Sequence, residues 1–524
     1  MGRDVQQPKL EGHLTSDTCT ISSVVVAKDL DFSRKQIREN SIVRTALWWI
    51  RRDMRLTDNQ ALDAALSDAQ HVIPVFILDP TILGSDRMAL RRVAFLMDGL
   101  RQLDASLTAR GSRLVVRRGR PTEQLSALVR ESQAEAIYAE DDFSPYSRHR
   151  DAEVAESLPL RSVGGCVVFP PRAVTKSNGK PYVVFTPFSR AWKSLQLPRY
   201  ADLLLAPAVI STPAHILGIP IPDTLHSNAS PMFRAGENEA RAQLSIFTGG
   251  ESPPIYEYNC TRDRVDMAGT SQLSPYIHLG MLSPRECVVA ALDARDRAPT
   301  EEAWKSADMW LNELIWREFY IHILYYFPIV LDESFRANLR WVNWENNPDV
   351  FSRWCQGMTG YPIVDAAMRA LQHTGWMHNR ARMIVASFLV KDLLIDWRWG
   401  ERYFMQSLID GDTASNNGGW QWTAGTGTDA APYFRVFNPV LQGKRCDPQG
   451  TFVRYWVPEL KDVNLRYVHA PWEMPVELQK QCGCIIGKDY PAPIINHKTA
   501  RERVLAVYAE AKELYREREI QSTD

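Results

Sequence analysis

Ala46-Leu-Trp-Trp-Ile50-Arg51-Arg52-Asp53-Met54-Arg55-Leu56 is the stretch whose reading decides the fold. Five apolar residues in a row read as a strand buried on both faces, and the residues after Ile50 are charged rather than glycine-rich. Val72–Leu78, Leu114–Val116, Ala136–Tyr138 and Val167–Phe169 repeat the apolar run, while helical spacing fills Asn59–Ala69, Met88–Arg110 and Pro121–Ser132. Strand and helix in alternation predict a doubly wound parallel sheet, a Rossmann-like α/β domain. No G-x-G-x-x-G comes after the first strand, so ordinary dinucleotide binding there is disfavoured.

Outward from this domain the pattern changes. Prolines at 198, 207, 213, 220, 222 and 231 mark residues 194–240 as a connector. Beyond 241, Ala303–Tyr326, Pro362–Gln372, Arg380–Leu394 and His497–Arg516 carry amphipathic helical patterns without strand alternation, which predicts an all-α domain. The expected division is a disordered tail (1–41), an α/β domain (42–172), a long linker (173–240) and a helical domain (241–515). The apolar patch Val24 to Ala27 is too short for a signal-peptide core, although a targeting role for the tail stays open.

Charges nearly cancel, 61 basic against 62 acidic, so any nucleic-acid contact must come from a local groove. The eight cysteines are scattered and read as reduced thiols. No apolar run approaches the roughly 18 residues that span a bilayer. Thirteen of the sixteen tryptophans lie beyond residue 300, which core packing alone does not easily explain, because each buried indole N–H needs a partner.

Four constellations carry candidate chemistry. In Trp310-Leu-Asn-Glu313-Leu-Ile-Trp316-Arg317-Glu318-Phe319-Tyr320, helical spacing puts Glu313, Trp316 and Tyr320 on one face. A carboxyl between aromatics suits a flat polar ligand such as a nucleobase; a core helix with a paired Glu is the plainer reading. Gly375-Trp376-Met377-His378-Asn379-Arg380-Ala381-Arg382-Met383 aligns Asn379, Arg382 and Met383, with His378 read as structural. Asp410-Gly411-Asp412-Thr-Ala-Ser-Asn416-Asn417-Gly418-Gly419-Trp420-Gln421-Trp422 reads as a ligand-lining loop. A metal fits it poorly, since no further ligand stands at coordinating spacing, and an N-cap is the other use of its carboxylates. Thr270-Ser271-Gln272-Leu273-Ser274-Pro275, with Arg262 upstream, offers hydroxyls and N–H groups for a pyrophosphate.

On these residues the chain, from about Ile42 to about Ala511, resembles the photolyase/cryptochrome family. Tyr182-Val-Val-Phe185-Thr186-Pro187-Phe188 and Arg52-Asp53-Met54-Arg55-Leu56-Thr57-Asp58-Asn59 add to the resemblance. It implies an antenna domain and a helical domain that holds FAD, active as reduced FADH−. By motif, Tyr258, Thr270, Ser271, Gln272, Leu273 and Ser274 would seat its phosphates and ribityl chain. Trp310, Arg317, Asn379, Arg382, Asp410, Gly411, Asp412 and Asn416 would surround its rings, with Asn416 at N5. Glu313, Asn379, Met383 and Asn416 would carry catalysis. Trp316, Arg317, Tyr320 and Trp422 would join Glu313, Asn379 and Met383 around a flipped-out pyrimidine dimer in UV-damaged DNA. Arg262, Arg380, Arg435 and Lys444 would meet the DNA, solvated charge being the plainer reading of each. Trp420, Trp397 and Trp344 resemble the family's electron-relay chain.

Met383, Asn416, Glu313 and Trp376 resemble the class I branch acting on cyclobutane pyrimidine dimers. Plant cryptochromes usually carry an acid at Asn416, DASH cryptochromes a Gln at Met383, and (6-4) enzymes a histidine pair where only His378 stands. A blue-light photoreceptor without repair is the alternative. Tyr138-Ala-Glu140-Asp141-Asp142-Phe143-Ser144-Pro145-Tyr146 leans the antenna toward 8-hydroxy-5-deazaflavin, with methenyltetrahydrofolate next. A monomer outside the membrane is expected, cytoplasmic and nucleoid-associated if bacterial, with nuclear or organellar placement left open by the tail.

Overall fold

The computed structural model describes residues 43–224, 232–429 and 435–521, side chains to 519. The expected amino-terminal tail lies outside the described residues. Five parallel strands form one sheet: β1 (Val43–Ile50), β2 (Ala69–Leu78), β3 (Val115–Arg118), β4 (Ala136–Ala139) and β5 (Leu160–Ser162), in the order β3-β2-β1-β4-β5. Trp49 lies beside Val75, and Trp48 beside Pro74 and Tyr138, so the opening run is the middle of the sheet, buried from both faces. Helices α1 (Gln60–Asp68), α2 (Leu90–Thr108), α3 (Pro121–Ser132) and α4 (Pro145–Ser157) cover it. Asn59 starts α1 by accepting from Leu62 N, and Ser144 starts α4 by accepting from Ser147 N.

One expected strand is corrected. Val167–Phe169 does not enter the sheet, because the Val168 and Phe169 amides donate to the buried carboxylate of Glu318 in place of a neighbouring strand. The fifth strand is the three-residue edge Leu160–Ser162, with a single apolar side chain and too short a pattern to read. The expected linker (173–240) also holds regular structure: α5 (Phe185–Lys193) lies within it, and α6 (Glu237–Thr248) begins before its expected end. Trp192 of α5 donates to Glu318 and the Phe185 ring stacks on Trp316 at 3.7 Å, so this segment is part of the site's frame.

The remaining helices include α7 (Ser274–Leu279), α8 (Pro284–Asp296), α9 (Glu301–Tyr326), α10 (Pro362–Thr374), α11 (Asn379–Ser387), α12 (Trp397–Ser407), α13 (Thr413–Ala424), α14 (Pro439–Cys446) and α15 (His497–Gln521). A single π turn, Phe388–Asp392, continues α11 and accounts for the long pattern expected at 380–394. Among the described residues no helix is long and apolar enough to cross a membrane.

One apolar core runs from Met54, Phe95 and Leu100 into Leu279, Met281 and Phe319, so the two domains share an interior. Gly280 ends α7 at φ 68°, and a Cβ there would stand 1.8 Å from the Arg52 carbonyl oxygen. Gly280→Ala is therefore expected to cost at least ~2 kcal/mol through left-handed strain and the clash. Denaturant unfolding reads this, and an unchanged midpoint would show the seam to be tolerant.

Candidate active site

Asp412 is the keystone of the third motif. Its carboxylate accepts from Ser415 N and so starts α13, and it pairs with Arg52 of the α/β domain at 2.8 Å. Burial alone would raise the Asp412 carboxyl, but Arg52 and then His278 hold it well below the usual range. The carboxylate thus serves as an N-cap, the other use the sequence offered, and Thr413–Ala424 is a helix where the sequence read a loop.

Asp410 faces a different partner set. Its Oδ2 accepts from Arg382 Nη2 at 2.7 Å and from Ser274 Oγ at 2.6 Å, while Oδ1 is buried with no protein partner. Trp420 Nε1 and Arg317 Nη2 are likewise buried and unpartnered. A buried polar atom normally finds a hydrogen bond. One acceptor and two donors left open on the expected flavin motifs fit a ring system carrying both functions.

Asn416 has its amide orientation decided by its surroundings. Its Nδ2 donates to the main-chain oxygen of Glu401 at 3.0 Å and to the Glu401 carboxylate at 3.1 Å. With the amino group committed, Oδ1 is the atom left to accept from a ligand. Glu401, fully buried on α12, escaped the sequence reading: it sits alone among the aromatic and basic residues of Trp397–Phe404, and only the fold brings it to Asn416.

The segment expected to seat the phosphates also has a defined frame. Gln272 adopts φ 53°, an uncommon conformation for a residue with a side chain, and α7 begins after it with no side-chain cap at Leu273. Trp310 Nε1 reaches Ser271 Oγ at 3.3 Å, and Phe247 packs against both Trp310 and the buried Tyr258. Ser274 gives its hydroxyl to Asp410, which joins this segment to the ring side. Thr270 and Gln272 stay half-buried beside it.

Glu313, Trp316 and Tyr320 do share a face of α9. Tyr320 lies against Gly418 of α13, where a Cβ would meet its ring, and Trp316 packs on Tyr320. The Glu313 carboxyl is raised by burial, partly offset by Arg262, whose Nη1 donates to it at 2.5 Å. Arg317 parts from this group: its Nη1 donates to the Cys166 carbonyl and its charge is felt at Asp412. Asn379 begins α11 exposed, and Arg382 and Met383 lie half-buried on the next turn. Of the expected DNA contacts, Arg262 is held by Glu313 and Arg380 by Asp263, whereas Arg435 and Lys444 are exposed. Arg445, which the sequence reading passed over, joins Arg380 on Asp263.

The tryptophans grade outward. Trp420 and Trp397 are buried and Trp344 is half-buried. Trp420 packs on Phe404 and Trp354, and Trp344 on Tyr508 of α15. Gly400 makes room for Trp420, since a Cβ there would stand 2.1 Å from its ring.

A cavity of about 490 Å3 opens at the carboxyl ends of β1 and β2, beside the β1–β4 reversal of strand order. Phe76, Ile77, Met88 and Leu96 supply apolar walls, and Arg51 and Arg150 lie over the Trp49 ring. Ligands of open α/β sheets bind at such a switch point.

A parallel-sheet domain thus shares an interior with a helical domain whose expected flavin motifs lie on α9, α11 and α13. Residues 46–208 match the family described as DNA photolyase, and residues 310–510 match the FAD binding domain of DNA photolyase. The chain is 41% identical over 488 residues to the deoxyribodipyrimidine photo-lyase of Salmonella typhimurium, covering 89% of this chain and 99% of that one. A bacterial class III photolyase from Agrobacterium tumefaciens superimposes with a TM-score of 0.83 at 35% identity, covering 90% and 98% of the two chains. An archaeal photolyase from Sulfolobus tokodaii, solved with two FAD molecules, gives 0.75 at 32%, covering 89% and 100%. The chain belongs to the DNA photolyase family.

His378 is the N-cap of α11, accepting from Arg380 N, and burial together with the charge of Arg382 lowers its pKa to about 4. The folded state thus refuses a proton that the unfolded chain accepts below about pH 6.5. Stability is therefore lost as pH falls from there toward 4, by up to ~3 kcal/mol from this residue. His378→Asn keeps the cap and is expected to remove that part of the loss, read by denaturant unfolding at neutral and acid pH. An identical acid loss in the variant would clear His378 of the effect.

Proposed function

We propose that the chain is a light-dependent deoxyribodipyrimidine photo-lyase that holds FAD between α9, α11 and α13 and splits cyclobutane pyrimidine dimers in DNA. The observation that carries this reading is the meeting of the Glu313–Trp316–Tyr320 face with α13, beside the unpartnered Asp410 Oδ1 and the oriented amide of Asn416. Reduced FAD, held by Arg382, Asp410 and Asn416, would supply light-driven one-electron chemistry toward the dimer.

The protein's own side chains do the rest. Arg382 and Asp410 position the rings, and Asn416 presents an acceptor that cannot donate a carboxylic proton. Thr270, Ser271 and Tyr258 line the phosphate side. Glu313, more ready than an exposed Glu to keep a proton, faces the carbonyl of the flipped base, and Trp316, Trp422 and Met383 exclude water around it. Trp420, Trp397 and Trp344 form the relay that restores the reduced cofactor. We assign the class I branch on Met383, Asn416, Glu313, Trp376 and the single His378. We further infer a linker that gives way to the helical domain at α6, a helical domain that runs through α15, a monomer and, if the source is bacterial, a cytoplasmic, nucleoid-associated placement, with nuclear or organellar placement the alternative.

For the antenna, the 490 Å3 cavity supports 8-hydroxy-5-deazaflavin. Phe76, Ile77, Met88 and Leu96 give it apolar walls among charged residues, and the buried Arg51 Nε, unpartnered within the protein, suits an acceptor on a planar ring. Methenyltetrahydrofolate is the second reading. An absorption band beyond those of FAD identifies the occupant.

Illumination with a dimer-containing oligonucleotide is expected to restore intact pyrimidines, with none restored in darkness. Glu313→Ala is expected to lower splitting about tenfold, equivalent to ~1.4 kcal/mol of barrier. Trp420→Phe is expected to split dimers with chemically reduced cofactor yet fail to reduce oxidised cofactor in light. FAD binding without any restoration would select the photoreceptor reading instead. Binding to damaged duplex is expected to weaken with salt, the slope falling by ~1 for each of Arg435→Ala and Lys444→Ala. Unchanged slopes would remove those two residues from the interface.

A further inference from the structure

Glu401 is buried behind Asn416, and a buried carboxyl needs either a proton or a compensating charge. The charge comes from the other domain. Arg87, in the segment before α2, places Nη1 3.2 Å from Glu401 Oε1. Its backbone is fixed on both sides: Arg87 N donates to Ser85 Oγ, and Arg92 Nη2 donates to the Arg87 carbonyl at 2.8 Å.

The other groups around Glu401 contribute less than Arg87, Arg402 included, whose charge also lowers the carboxyl. Arg402, on the same helix, lies toward Asp86. Arg92 of α2 turns Nη1 to the carbonyls of Met405 and Leu408, and Lys391 of the π turn donates to the Arg435 carbonyl. Asn416 of α13 offers a neutral amide. Burial raises the Glu401 carboxyl, and Arg87 is the largest influence opposing it.

We propose that Arg87 is a positioning residue of the flavin site: its charge favours the ionised form of Glu401, and the carboxylate strengthens the hold on the Asn416 amide, which the Glu401 main-chain oxygen already turns with Oδ1 toward the cofactor. Protonating Glu401 weakens the carboxylate's hydrogen bond, while the main-chain oxygen keeps the amide's orientation. The firmness of the hold on Asn416, though not its direction, is then set by a charge from the α/β domain. Arg87 also lines the 490 Å3 cavity, so an occupant there rests against the residue that governs Asn416. The proposal rests on the reading of Asn416 as a flavin neighbour.

The test titrates the holoprotein, monitoring the infrared carbonyl band of protonated carboxyl and the absorption spectrum of bound oxidised FAD. In Arg87→Gln and Arg87→Met, the Glu401 midpoint is expected to rise by about one pH unit or more, with the flavin spectrum changing over the same range. Arg87→Lys is expected to return the midpoint toward that of the unmodified protein, and Glu401→Gln to abolish the titration in every background. An interdomain staple with no electrostatic role alters unfolding but leaves the midpoint in place, and that result overturns the proposal. So does a titration that persists in the Arg87→Gln/Glu401→Gln double variant. A carboxyl titration that moves while the flavin spectrum stays flat overturns the control of Asn416. A preparation that cannot bind FAD refutes the flavin reading itself, with the infrared arm still reporting on Arg87 and Glu401.

Discussion

Everything in the site hangs from the clasp between Arg52 and Asp412. Arg52 sits at the end of the central strand, donates to Asp412 and to the His278 carbonyl, and presses its own carbonyl onto Gly280. Removing two charges from water is costly, so such a pair is weak evidence of net stability. Its value lies in register. Asp412 also caps α13, so the placement of the α/β domain and the start of the helix bearing Asn416, Trp420 and Trp422 are one event.

The same seam explains how charge is distributed around the pocket. Arg52, Arg87 and Arg92 all reach from the α/β domain to the helical one, and each meets acceptors on or beside the elements that frame the cofactor. On the far side, Arg382 neutralises Asp410 and Arg262 meets Glu313. The carboxylates of Asp412, Glu401, Asp410 and Glu313 are thus each paired with an arginine, while His378 and His322, both lowered to about 4 chiefly by burial, stay neutral. The pocket keeps few free charges, which suits a chromophore whose electron must reach one acceptor.

The sheet was legible because Ala46–Ile50 and Val72–Leu78 are long apolar runs in a doubly covered sheet. The motif-bearing helices were legible because Glu313, Trp316 and Tyr320 repeat at helical spacing. The misses share a cause: local pattern carries no record of a distant partner. Val167–Phe169 has a strand's composition, but its amides are claimed by Glu318, 150 residues away in sequence for Val168. Glu401 meets Arg87 across 314 residues, and nothing near Glu401 announces it. Arg262 and Arg380 read as free cations until the fold set Glu313 and Asp263 beside them.

The wavelength dependence of dimer splitting tests the central claim most directly. The action spectrum of the holoprotein on a dimer-containing duplex is expected to match the absorption of bound reduced FAD, with an added band wherever the cavity holds an antenna. Splitting that proceeds equally in darkness, or at wavelengths the bound flavin does not absorb, would contradict the account.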